Sequence, residues 1–159
     1  MRMSSEVSLQ SKRIALTVIF AAIYAVGTIA LAPISFGVVQ VRVIDALIPL
    51  SVLFGYPTIT GVTLGCMIGN AYGGLGWIDI VFGSLANLIA STLAFLLRKR
   101  PLLACTTSTL TVTAIVGSYL WILFQVPWEV SLLGVFIGSF ISINIIGYLL
   151  IKALKGVAP

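Results

Sequence analysis

The side chains able to hold or transform a small molecule are few and closely spaced. Gln40, Arg42 and Asp45 lie within six positions, and Asn70, Tyr72, Trp77 and Asp79 lie within ten. Asp45 and Asp79 together would suit a membrane-embedded hydrolase or isomerase working by acid/base chemistry. Either alone would accept two adjacent N–H donors of a ring compound in bidentate fashion. Asn70 offers a donor and an acceptor on one amide, and Tyr72 or Trp77 offers a face for stacking. Each residue also has a structural reading. Arg42 and Asp45, three apart, can pair on one helix face. Asp79 and Glu129 can cap helices, and Trp77 and Trp128 fit an interfacial aromatic belt.

What surrounds these residues decides what they can do. The 159 residues include nine Lys or Arg, four Asp or Glu and no His; 60% of the chain is apolar and 8% charged. Soluble domains carry about 25% charged residues, so this composition is that of a multi-pass protein of the cell membrane. Disorder, nucleic-acid binding and a cytosolic enzyme all need polar surface that is missing. Without His there is no Ser/His/Asp or Cys/His nucleophile system, and nickel or cobalt binding loses its usual ligand. No metal or other cofactor is expected. The two acids also lack an activating His, Lys or metal nearby, which weakens the enzyme reading. Cys66 and Cys105 sit in apolar runs and read as packing residues. No G-x-x-x-x-G-K-[ST] phosphate loop occurs, so energy for any transport must come from a partner or a gradient.

Prolines, glycines and charges divide the chain into six candidate spans: 14–33, 43–56, 58–72, 79–97, 102–124 and 130–151. They form one all-α domain over 1–159, with tails at 1–11 and 156–159 and a helical bundle over 12–155. The first apolar run is longer than a signal-peptide core and is followed by Pro33, so it reads as a retained helix. Six spans with both termini cytoplasmic place eight of the nine basic residues inside, leaving Arg42 outside. The second span, at 14 residues, reaches only about 21 Å of a core of about 30 Å. The 34–42 connection must therefore dip into the membrane, where irregular backbone has to be covered by protein or line a cavity. An outer pocket floored by Arg42, Asp45, Asn70 and Asp79 follows. Gly61, Gly65 and Gly69 recur every fourth position as a packing face, and Asn87 and Asn144 read as interhelical hydrogen-bond partners. Ala21 and Ala25 form a second small-residue face and read as a partner contact.

Three stretches carry a resemblance: Gln40-Val-Arg42-Val-Ile44-Asp45-Ala-Leu47, the run Gly-Val-Thr-Leu-Gly-Cys-Met-Ile-Gly-Asn from Gly61 to Asn70, and Asp79-Ile-Val-Phe-Gly83-Ser84-Leu-Ala-Asn87. The chain resembles the QueT family of queuosine-precursor transporters over about 12–152, most specifically over 38–87. That family is similar to the six-helix, substrate-binding S components of energy-coupling factor (ECF) transporters. Ile44, Asp45 and Asn87 stand where the family pattern has Ser, Glu and Thr. The resemblance implies a non-catalytic subunit that binds a deazaguanine from outside. A transmembrane scaffold and two ATPase subunits then drive its import. It further implies a lid made by the loops at 34–42 and 73–78, and a scaffold contact along Ala21 and Ala25. The departures at Ile44 and Asp45 keep open an S component for another vitamin-like ring compound. A third reading, an assembly factor acting through its Gly and Ala stripes, leaves Arg42 and Asp45 without a purpose.

Overall fold

Prolines and glycines punctuate the chain where the sequence predicts, and a helix lies at each of the six expected segments. The computed structural model describes residues 2–37 and 40–156, with side chains from Leu9 onward. Among these residues there is no strand. The elements are α1 (Arg2–Ala30), the single turn α2 (Ala32–Ser35), α3 (Val43–Phe54), α4 (Tyr56–Gly73), α5 (Asp79–Leu96), α6 (Pro101–Phe124) and α7 (Trp128–Leu154). Pro57 and Pro101 stand in the first turns of α4 and α6, where the missing N–H has no intrahelical partner to lose.

Among the described residues four helices are long and apolar enough to cross a membrane: Leu9–Ala30 of α1, α5, α6 and α7. α4 has 18 residues, but its glycines, threonines and Asn70 lower its apolarity. α3 is short and begins as a 3-10 helix over Val43–Leu50, continuing as one α-turn over Ser51–Phe54. Gly55, at φ 65°, then turns the chain directly into α4, a backbone conformation that a side chain would strain.

The glycine stripe of α4 meets α1. A Cβ on Gly65 would stand 2.6 Å from the Ala21 carbonyl oxygen, and one on Gly69 3.0 Å from Thr28 Cβ. Gly61 faces Thr17, Phe20 and the Ala21 backbone. Contacts climb both helices in the same direction, so α1 and α4 are parallel neighbours. The chain returns between them through α3, which runs antiparallel to α1 with Ile44 against Gly27 and Phe54 against Phe20. The longer helices pack in the order α1, α4, α5, α6, α7, and α3 touches all five. Its Ile48 and Leu50 are buried, Pro49 fits against Gly147 of α7, and the Ser51 hydroxyl donates to the Ser91 carbonyl at 2.7 Å. Asn144 accepts from Thr109 at 2.6 Å and donates to Thr106 at 3.1 Å, joining α6 to α7 as its type suggested. Asn87 donates to the Val62 carbonyl of α4 at 3.5 Å.

The close α1–α4 approach predicts that Gly65→Leu, which drives a side chain into backbone, destabilises the bundle by about 1–3 kcal/mol or more. Thermal unfolding in detergent followed by circular dichroism should show a clear loss, while Ala22→Leu on the exposed side of α1 should melt like the unsubstituted protein.

Candidate functional site

Asp79 opens α5 in a π-helical stretch, Asp79–Gly83, and is completely buried. Such stretches inside α-helices re-aim side chains and are frequent at functional sites. The Asp79 side chain does not cap the helix. Both of its oxygens lie 3.5 Å from Arg42 Nη2, and one accepts a 2.6 Å hydrogen bond from the Tyr119 hydroxyl of α6. Its main-chain carbonyl accepts from Asn70 Nδ2 at 2.8 Å. Asn70 reaches this position because Gly83 has no Cβ, which would collide with the amide.

Arg42 is buried at the end of the connection into α3. Its Nε donates to the Ser35 carbonyl at 3.3 Å, its guanidinium carbon lies 5.3 Å from the centre of the Phe36 ring, and Nη1 is 3.9 Å from Cys66 Sγ. The connection is itself seated on protein. The Phe36 ring fills the space a side chain on Gly73 would need, and the Gln40 carbonyl fills that of Gly138. Ser35, Gln40 and Arg42 are all buried, so protein covers the connection at these positions. Residues 38 and 39 of the expected 34–42 lid lie outside the described residues.

Asp45 does not pair with Arg42. Arg42 precedes the helix with ψ 84°, and its side chain turns to Asp79, while Asp45 accepts a hydrogen bond from the Tyr24 hydroxyl of α1. Gln40, Arg42 and Asp45 form one wall of a small cavity, together with Asn87 and Ser139. Val112, Val116 and Val135 form its apolar side. The cavity measures about 10 Å³, the room for a single water. Gln40 Nε2 and Asn70 Oδ1 are buried without a hydrogen-bond partner. The Ser35 hydroxyl, on the residue whose carbonyl binds Arg42, is buried without a partner as well, and each such group carries a desolvation penalty of about 1–3 kcal/mol.

Of the residues singled out in the sequence, Gln40, Arg42, Asp45, Asn70 and Asp79 come together in the interior. Tyr72 and Trp77 do not join them; they are 64% and 69% exposed. Ala25 is buried within the bundle, and Ala21 is half-buried with its backbone against Gly61 and Gly65. The outward side of α1 carries Val18, Ala22 and Val26 instead. Tyr24, Tyr119 and Phe36 escaped the sequence reading. For the two tyrosines the available signal was a hydroxyl placed within an otherwise apolar helix, which demands a partner when buried. Among the described residues no group of three or more Asp, Glu, Cys or His could hold a metal ion. The two buried acids have different partners, Tyr24 for Asp45 and Arg42 with Tyr119 for Asp79.

A family model described as QueT transporter matches residues 14–156. A similar protein is the Queuosine precursor transporter QueT of Lactococcus lactis subsp. cremoris (strain MG1363), 37% identical over 84 residues. The aligned stretch covers 52% of this chain and 48% of that relative, about half the length of each. No solved structure matches. The family is one of transporters and not of enzymes, in keeping with the apolar helices of a multi-pass membrane protein. The matched region contains Gln40, Arg42, Asp45, Asn70 and Asp79 together with the helices that bury them, and the chain belongs to the QueT transporter family.

Proposed function

We propose that this protein is the substrate-binding membrane subunit of an ECF-type uptake transporter, taking a deazaguanine queuosine precursor from outside. A transmembrane scaffold and two ATPase subunits would drive its import. The observation that carries the substrate reading is the buried cluster of Arg42, Asp45, Asn70 and Asp79 with its unmet Gln40 donor and Asn70 acceptor. A guanine-like edge presents adjacent N–H donors beside acceptors, and these groups complement such an edge. The name of the Lactococcus relative points to the same substrate class.

A cavity of about 10 Å³ admits no bicyclic ring, so binding requires the 34–42 connection to lift from Gly73 and Gly138. On opening, the ligand would take over bonds now made by Tyr24 to Asp45 and by Arg42 and Tyr119 to Asp79. Tyr72 and Trp77, exposed near the same end, would stack on the ring only when the 73–78 loop folds inward. The parallel arrangement of α1 and α4 supports a topology in which α3 returns across the membrane, giving six passes with both termini cytoplasmic. The scaffold would meet α1 along the edge of Ala21 and its exposed neighbours Val18 and Ala22.

Calorimetric titration of the detergent-purified protein with deazaguanines, guanine and common vitamins should show saturable binding to deazaguanines. Asp45→Ala and Asn70→Ala should each weaken it by about tenfold or more, the loss of a charge-assisted or buried hydrogen bond. Binding only to an unrelated vitamin would refute the substrate while leaving the family untouched. For topology, a reporter fused after Arg100 should read cytoplasmic; an extracellular signal there rules out the six-pass arrangement.

A further inference from the structure

α3 spans about 22 Å, against a hydrocarbon core of about 30 Å, and ends at Phe54. Two clefts open on either side of that end. One, of about 560 Å³, lies among α1, α3, the start of α4 and the end of α5. The other, of about 340 Å³, lies among α3, the α5–α6 turn and the end of α7. Val52, Leu53 and Arg98 line both, so the clefts are joined at the tip of the short helix.

Their chemistry is consistent. Lys12, Arg13 and Arg98 edge the larger cleft, and Lys99 and Lys155 join Arg98 at the smaller. Among the described residues no carboxylate lines either one. Between the cations the walls are apolar, chiefly Leu16, Phe54 and Phe95. The Arg98 guanidinium lies over the Phe95 ring, 4.6 Å from its centre, a stacking that orients the group and leaves its N–H donors for another acceptor. Asp79 and Arg98 stand at opposite ends of α5, so the clefts lie far from the polar cluster.

We propose that these clefts hold an anionic phospholipid. Its phosphate would be bound by Arg98 with Lys12 and Arg13, and its acyl chain would occupy the apolar space that α3 is too short to fill. Space beside a short helix within a membrane is filled by lipid, and basic side chains at the interface select an anionic headgroup. The apolar walls favour the lipid over a free phosphate, which would use only the rim. The proposal is independent of the substrate assigned above.

Native mass spectrometry of the full chain, delipidated in neutral detergent and titrated with phosphatidylglycerol or phosphatidylcholine of equal chain length, tests it. Phosphatidylglycerol should be retained at least tenfold more strongly. Arg98→Gln should reduce that retention about fivefold and addition of Lys12→Gln about fivefold more, while Arg100→Gln, outside both clefts, should bind as before. Leu53→Trp, which fills the space and keeps every cation, should also reduce retention; Lys155→Gln serves as a second charge variant if Arg98→Gln does not fold. Equal retention of the two lipids, an equal loss in Arg100→Gln, or displacement by inorganic phosphate at concentrations matching the lipid would overturn the proposal. Deazaguanine titration of the same variants reads the other site separately.

Discussion

A guanidinium held inside an apolar bundle is the constraint around which this structure is arranged. Removing one partner of a buried ion pair destabilises a protein by about 3–5 kcal/mol, because the remaining charge is left without compensation. Arg42 is compensated from several directions: Asp79 opposite its Nη2, the Ser35 carbonyl on Nε and the Phe36 ring against its face. Each of these dictates something further. Phe36 needs Gly73 beneath it, Asp79 needs the π-helical opening of α5 and the Tyr119 hydroxyl, and Asn70 needs Gly83 to reach the Asp79 carbonyl.

Helix positions were legible because prolines, glycines and charge clusters mark the ends, and the interior cluster was legible because charge is so scarce in this chain. The partnerships within that cluster were not. Three-residue spacing suggested that Arg42 pairs with Asp45, but Arg42 sits before the helix with non-helical ψ, and tertiary contacts claim both residues. Tyr24 and Tyr119 lie in apolar helices where sequence alone cannot distinguish a hydroxyl that anchors a carboxylate from an aromatic that merely packs. For Tyr72 and Trp77 the residue type fits both a stacking role and an interfacial belt, and the exposure of both fits the belt. Ala25 shows the same limit for small residues: a stripe reveals that something approaches closely, without saying whether the neighbour belongs to the same chain.

The two ends of the bundle solve opposite problems. At the polar-cluster end, the connection before α3 is seated against Gly73 and Gly138, and the charged groups beside it are buried where hydrogen bonds strengthen. At the other end, the early stop of α3 leaves open apolar clefts whose charged residues, among those described, are all cations. Both features follow from one short helix that begins as a 3-10 segment, crosses the middle of the bundle and touches every longer helix. Its shortness is therefore a source of architecture at each end.

The Arg42–Asp79 pair also has a history in time. Its members are separated by 37 positions, with α3 and α4 between them. The chain is synthesised from its amino end, so the cation emerges before its counter-ion exists. Until α5 arrives, no Asp79 is available to Arg42. Biosynthesis thus delivers the cation before its counter-ion, and packing at this end of the bundle is complete only once α7 brings Gly138 against the Gln40 carbonyl.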